Sequence, residues 1–316
     1  TYRTDQPQEG RIRRPGHDGV EMRVTTFPTL FGERVVVRLF GSQRALLDLE
    51  ELGLPPEILE ALARMLRETS GAIVLCGPAG SGKTTTLYAC LRAIVRDSGG
   101  GRSLATLEDP IEVPLSGVSQ SQVNLPAGLD LASGLRSLLR QDPEVIAVGE
   151  IRDAATASVA FQAALTGHLV LSTFHAGTAA TAISRLIDMG IEPYVLRSGL
   201  LAIVAQRLAR ALCPVCKRAS TDPRDRFGFA IEQVFVPVGC ESCLGTGYHG
   251  RLLLAEMITP GVDRLARAIL SRRATPILER VARKAGMVGL FERATELVRQ
   301  GRTSPAESRR VLGFGR

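Results

Sequence analysis

One stretch, Gly77-Pro-Ala-Gly-Ser-Gly-Lys-Thr84, constrains the architecture of this chain more than any other. It fits the pattern G-x-x-x-x-G-K-[S/T] in full. The apolar run Ala72-Ile-Val-Leu-Cys76 precedes it, and a segment of helical character follows from Lys83 or Thr84. Glycines let a backbone fold around a phosphate with its N–H groups turned inward, and a helix N-terminus adds a partial positive charge. Lys83 is placed to reach a β- or γ-phosphate, and the Thr84 hydroxyl to ligate Mg²⁺. The candidate nucleotide-binding residues are therefore Gly77, Pro78, Ala79, Gly80, Ser81, Gly82, Lys83, Thr84 and Thr85. A chance glycine-rich turn is the alternative, and the strand before and helix after weigh against it. Lys83 is one of only three lysines beside 36 arginines. A planar guanidinium does not replace a compact ammonium here.

Apolar runs alternate with helical patterns on both sides of this motif. Strands are expected over 72–76, 103–107, 145–148 and 169–173, and helices over 84–96, 132–140 and 154–165. Strands that are apolar throughout belong to a parallel sheet covered on both faces, an α/β architecture. Upstream, 21–27 and 33–40 alternate and flank Pro28-Thr-Leu-Phe-Gly32, which reads as two strands of an α+β domain whose remainder lies elsewhere. Residues 1–19 read as a polar, ragged edge. The expected division is 1–40 as the end of that α+β domain, 41–50 as linker, 51–212 as the nucleotide-binding core, 213–250 as a cysteine-rich subdomain and 251–316 as a mostly helical, arginine-rich region.

A chain of 316 residues, 45% hydrophobic and 22% charged, suits a globular protein of about two domains. No apolar run approaches the roughly 18 residues of a membrane span, and the first 30 residues hold no apolar signal core. The start at Thr1 suggests a fragment. The net charge of +7 rests on dispersed arginines. Nucleic-acid or anionic-lipid binding stays open on charge, and coding bias explains the same ratio.

The carboxylates decide what a phosphate loop does. No Asn-Lys-x-Asp guanine-reading motif is evident, which sets GTPases aside. Thr106-Leu-Glu-Asp-Pro-Ile-Glu112 follows a buried strand, where ligands of parallel sheets bind. Glu112 is the candidate general base on an attacking water, with Asp109 or Glu108 orienting it; a solvated turn is the alternative. Val145-Ile-Ala-Val-Gly-Glu150 delivers Glu150 at a strand's carboxyl end, as a group that holds Mg²⁺ through water or helps orient the nucleophile. His168 and His175 flank the next strand. His175 lies on the phosphate side, as a γ-phosphate sensor would, and His168 has the alternative of a structural hydrogen-bonder.

Cys213-Pro-Val-Cys216 and Cys240-Glu-Ser-Cys243 form two CxxC knuckles. Four thiolates at this spacing suit tetrahedral, structural Zn²⁺. A redox pair would need a strand–helix setting that Pro214 and the turn-rich surroundings disfavour. Cys76 and Cys90 sit in apolar stretches as inert core residues.

In order, the phosphate loop, Leu107-Glu-Asp-Pro-Ile-Glu112, Leu135-Arg-Ser-Leu-Leu-Arg-Gln-Asp-Pro143, Val148-Gly-Glu-Ile-Arg-Asp153, Leu165-Thr-Gly-His-Leu-Val170 and Ala205-Gln-Arg-Leu208 resemble the secretion ATPases of type II secretion and type IV pilus assembly. The resemblance spans about 20–300. It implies a RecA-like core, a preceding PAS-like α+β domain and a tetracysteine zinc subdomain, which favours the assembly branch over retraction ATPases. It implies Walker A, Asp-box, Walker B and His-box elements, with Glu112 as catalytic glutamate, Glu150 as Walker B acid and His175 as the His-box residue. Arg23, Arg38, Arg136 and Arg140 match arginines that face the nucleotide's phosphates; surface charge is their plainer reading. Two departures are Ala79 in place of Thr, and Phe174-His-Ala-Gly177 in place of a Leu-His-Thr-Asn run. The implied cofactors are ATP, Mg²⁺ and Zn²⁺. The implied setting is a cytoplasmic homo-oligomer, a hexamer, held at the inner membrane by platform and adaptor proteins, with no nucleic acid expected. A DNA-uptake or conjugation motor and a nucleotide-gated scaffold without turnover are the alternatives.

Overall fold

The computed structural model describes residues 2–13, 21–40, 46–261 and 263–314, which fall into two compact units, 1–47 and 48–316. The first is an antiparallel three-stranded sheet: β1 (Gln8–Arg13), β2 (Glu21–Thr29) and β3 (Gly32–Phe40), in that order. β2 and β3 form a hairpin in which Thr29 pairs with Gly32. β1 corrects the expectation of a ragged edge over 1–19. It contains a single apolar residue, Ile12, so no alternation announces it; it pairs along β2 from Gln8 opposite Thr26 to Arg13 opposite Glu21.

The second unit opens with α1 (Pro56–Met65), which carries Pro in its first turn and buries Ile58, Ala61 and Leu62. β4 (Gly71–Cys76), α2 (Lys83–Asp97), β5 (Leu104–Glu108) and the short β6 (Ser119–Gln122) follow. Then come α3 (Leu131–Leu138), β7 (Val145–Ile151), α4 (Ala154–Leu165), β8 (Leu169–Phe174), α5 (Ala179–Asp188) and α6 (Pro193–Gly199). The helix expected over 132–140 is α-helical only to Leu138, and a 3₁₀ turn takes over at 139–141. The remaining elements are β9 (Leu200–Leu212), β10 (Arg218–Ser220), β11 (Val234–Val236), β12 (Tyr248–Ile258), α7 (Asp263–Leu270), α8 (Thr275–Lys284), α9 (Leu290–Arg299) and α10 (Pro305–Leu312).

The main sheet has seven strands in the order β12-β9-β4-β8-β7-β5-β6. All neighbours are parallel except β12, which runs antiparallel to β9. Every residue of β4, β5 and β8 is buried. That is why these strands read as continuous apolar runs instead of alternating. Alanines of α4 and α5 pack with Phe161, Phe174, Ile146 and Ile183 in the principal core. Helix starts are set by side chains: Asp130, Asp153, Thr178 and Ser304 each accept an N–H from the first turn that follows.

This topology brings the loops after β4, β5, β7 and β8 to one edge of the sheet. Those loops carry Gly77–Gly82, Asp109–Glu112, Arg152 and His175, with Glu150 close to the end of β7.

Candidate nucleotide site

β4 ends at Cys76, and α2 begins at Lys83 with Gly82 as its cap in left-handed conformation, φ 89°. A side chain at Gly77 has no room. Its Cβ would lie 2.6 Å from the Gln206 carbonyl oxygen and 2.4 Å from Ser81 Oγ. The glycines are thus imposed by close backbone approach as well as by the turn. Lys83 is nearly buried, and its ammonium donates to the carbonyls of Gly77 (2.9 Å) and Pro78 (3.0 Å). Burial pulls its pKa down, with Arg207 adding to the effect. Ser81 Oγ is buried with no partner among the described residues. A loop with a bent-back ammonium, an unsatisfied hydroxyl and a wall no Cβ can enter fits a phosphate group. Thr84 is half-buried and Thr85 exposed, both in the first turn of α2.

Glu150 sits within β7, where the ladder to β8 shifts between Val148 and Ile151. Hydroxyls from β8 cover the gap: Ser172 Oγ donates to the Val148 carbonyl (3.0 Å) and Thr173 Oγ1 to that of Gly149 (2.7 Å). The Glu150 carboxylate is largely buried. It pairs with Arg152 and lies 3.2 Å from His175 Nε2. His175 is held below the ordinary histidine pKa, first by burial and then by the nearby cations Lys83, Arg152 and Arg185. Arg185 also donates to the His175 carbonyl and stacks over Phe174. Glu150, His175 and the field of Lys83 therefore meet at one place. His168 is elsewhere, at the opposite end of β8, where its Nδ1 lies 3.1 Å from the Ala163 carbonyl.

Glu112 is exposed, in the loop between β5 and β6. Its backbone N–H donates to Tyr88 Oη (3.2 Å), and Tyr88 in turn donates to Glu108. Glu108 is buried and also accepts from Thr106 Oγ1 (2.6 Å) and Gln120 Nε2 (3.0 Å). Burial and Glu108 raise the Tyr88 pKa, so the phenol stays protonated. Glu108 is thus engaged within the fold and reaches Glu112 through Tyr88. Asp109 is paired with Arg152 at 3.0 Å. Tyr88, from the phosphate-loop helix, is a positioning group that no motif signals.

Among the arginines, Arg23 lies in β2 and pairs with Glu9 at 2.6 Å. Arg38 lies in β3, and its side chain is outside the described residues. Arg136 and Arg140 are exposed, and Arg140 folds back onto the Arg136 carbonyl (3.2 Å) and Ser137 Oγ (3.2 Å). Neither has a polar contact with the phosphate loop among the described residues.

The four knuckle cysteines converge with all Sγ atoms within 4.8 Å of one another. Separations of 3.9 Å (Cys213–Cys240), 3.8 Å (Cys216–Cys243) and 3.7 Å (Cys240–Cys243) are close to the edge of a tetrahedron with Zn–S bonds of about 2.3 Å, which is about 3.8 Å. Backbone N–H groups of Gly239, Cys240 and Gly247 point at Cys216 Sγ (3.3 Å) and Cys243 Sγ (3.2 Å each). Burial raises the Cys243 pKa, but the Cys240 and Gly247 N–H groups, with the neighbouring Cys240 and Cys216 thiols, outweigh it and hold the thiol down at about 6. The donor set fits zinc.

The family described as Type II/IV secretion system protein matches residues 3–310. The chain is 47% identical over 287 residues to the type II secretion system protein E of Aeromonas hydrophila, covering 88% of this chain and 56% of that relative. It is 38% identical over 310 residues to the type IV pilus assembly ATPase PilB of Thermus thermophilus, covering 95% and 34%. The chain therefore spans about half of the first relative and a third of the second. A solved structure of the pilus retraction motor PilT with bound ADP superposes with a TM-score of 0.68 at 24% identity, covering 96% of this chain and 77% of that one. This last likeness is one of fold, and it agrees with the expected α/β architecture with a parallel sheet.

Proposed function

Because this chain belongs to the Type II/IV secretion system protein family, we propose that it is the motor portion of a Mg²⁺-dependent ATPase that powers pseudopilus or pilus assembly. The observation that carries the reading is the meeting of Lys83, Glu150 and His175 at the carboxyl edge of β4, β7 and β8.

Phosphoryl transfer to water needs little covalent chemistry from the protein; it needs positioning and charge. The N–H groups of the Gly77–Thr85 loop hold the phosphates, and Lys83 leaves its loop carbonyls to bind them. Thr84 and Glu150 would hold Mg²⁺, which would supply positive charge against the phosphates. Glu112, set by Tyr88, accepts the proton of the attacking water. His175, neutral near pH 7 because its pKa is lowered, reads the γ-phosphate from beside Glu150. By the resemblance, Arg23, Arg38, Arg136 and Arg140 are the candidate cations for the nucleotide's phosphates. Cys213, Cys216, Cys240 and Cys243 would hold a structural Zn²⁺. The active assembly is a ring, a hexamer, in the cytoplasm at the inner membrane, engaged with platform and adaptor proteins.

The test is ATP hydrolysis and nucleotide binding in two variants. Glu112→Gln keeps binding and loses turnover, whereas Lys83→Ala loses both. Parent-rate hydrolysis by Glu112→Gln shifts the base to Glu150. Strong stimulation by DNA would favour the nucleic-acid motor instead.

A further inference from the structure

Two neighbouring residues of β9, Gln206 and Arg207, touch two different loops of the nucleotide site. β9 pairs with β4 as far as Ala205 opposite Cys76 and then runs on past the end of β4. Successive side chains of a strand point to opposite faces. Gln206 is fully buried and donates from Nε2 to the Ser81 carbonyl in the phosphate loop at 2.9 Å. Its backbone carbonyl is the wall against which Gly77 packs. Arg207 points the other way and donates from Nη2 to the Gly177 carbonyl at 2.6 Å, two residues beyond His175. Its Nη1 closes back on the Gln206 carbonyl at 2.9 Å.

The neighbouring strand reinforces the second arm. Glu256 of β12, opposite Ala205, is buried, and its carboxylate accepts the Ala179 N–H at the start of α5 (2.9 Å) and the Leu290 N–H at the start of α9 (3.1 Å). The segment from His175 to α5 is therefore held at Gly177 by Arg207 and at Ala179 by Glu256. The Gln206 Oε1 atom is buried without a partner among the described residues. A buried amide kept with half of its capacity unused points to a positional demand on the other half.

We propose that Gln206 and Arg207 are a two-armed strut that keeps the phosphate loop and the His175 loop in register. Gln206 sets how well the phosphate loop binds nucleotide, and Arg207 sets where His175 stands during turnover. The proposal rests on the nucleotide-hydrolysis reading above.

The experiment compares the full chain with Gln206→Met, Arg207→Gln and Arg207→Lys, measuring the ADP dissociation constant and kcat for ATP. Active-site titration with ADP gives the competent fraction, and all constants are expressed per competent site. Gln206→Met keeps the volume and removes the donor. Loss of a buried hydrogen bond of this kind corresponds to about a tenfold weaker ADP affinity, with kcat at saturating ATP within about threefold. Arg207→Gln keeps ADP affinity within about twofold and lowers kcat at least about tenfold, and Arg207→Lys, which retains one donor for Gly177, recovers part of that loss. This split between affinity and turnover is not what a general loss of folded protein produces. Parent-like ADP affinity in Gln206→Met with parent-like kcat in Arg207→Gln overturns the strut, and so does an equal loss of both constants in both variants. If the parent hydrolyses ATP and Lys83→Ala does not, such a result removes the strut alone. A parent that neither binds nor hydrolyses nucleotide removes both readings.

Discussion

Replacing Gly77 by alanine tests the phosphate loop at its tightest point. The added Cβ would stand 2.4 Å from Ser81 Oγ and 2.6 Å from the Gln206 carbonyl oxygen. The hydroxyl can rotate away. The carbonyl cannot, because it belongs to β9, which is paired on one side with β4 and on the other with β12. Gly77 also has φ 157°, which an L side chain rarely adopts. Backbone strain of this kind costs on the order of 1–3 kcal/mol. Forcing a methyl group into a packed site costs about 1–3 kcal/mol more. The expected total of about 2–6 kcal/mol divides between two readouts. If the loop keeps its place, the folded unit loses stability, at roughly 2–4 °C of melting temperature per kcal/mol for a domain of this size. If the loop moves, its N–H groups lose their aim and ADP affinity falls tenfold for each 1.4 kcal/mol or so. Calorimetric melting and ADP titration on one preparation give both shares. A variant that melts within about 1 °C of the parent and binds ADP within about twofold would show that the β9 carbonyl is no wall to a side chain at position 77.

Three further outcomes are expected. Zinc copurifies at about one per chain, and chelation loosens 213–250 in hydrogen exchange while the apolar strands of the main sheet stay protected; metal-free protein from a chelator-free preparation contradicts this. Glu307 is fully buried, accepts from the N–H and guanidinium of Arg210 and from Arg310, and is held at about 2 because these donors outweigh the upward push of burial. A carboxyl with a depressed folded pKa adds stability above its unfolded value near 4.5, and that contribution is lost as pH falls through about 2. Protection of α10 against exchange should therefore drop between pH 5 and pH 3 in the parent and change much less in Glu307→Gln; equal profiles refute it. Arg38→Ala should lower ATP hydrolysis at least about tenfold with zinc content and folding intact, and parent specific activity should rise with protein concentration as rings assemble, at the scale known for cations delivered to P-loop sites. Concentration-independent activity together with a fully active Arg38→Ala leaves a self-contained monomer.

The parts whose physics is local can be read from consecutive residues. The phosphate loop is legible because its glycines, Lys83 and Thr84 act through eight consecutive residues. The strands β4 and β8, and β7 as far as Val148, are legible because burial on both faces leaves them mostly apolar without alternation. The cysteine quartet is legible because metal geometry demands paired knuckles, and the four sulfurs do converge. Other features depend on contacts that no window of sequence contains. β1 has one apolar residue and exists through backbone pairing to β2. β9 carries Gln, Arg, Ala and Leu in its second half, residues without a strand signature, and is a strand because it lies between β4 and β12. Tyr88 and Glu108, 20 residues apart in the chain, share a proton-bearing contact that sets Glu112. Gln206 and Ser81 are 125 residues apart, and Glu256 and Ala179 are 77 apart. Such contacts form only where the sheet order sets β9 beside β4 and β12 beside β9. A hydrogen bond depends on an ångström of placement, and that placement is set by the packing of the whole unit, not by the residues that make the bond.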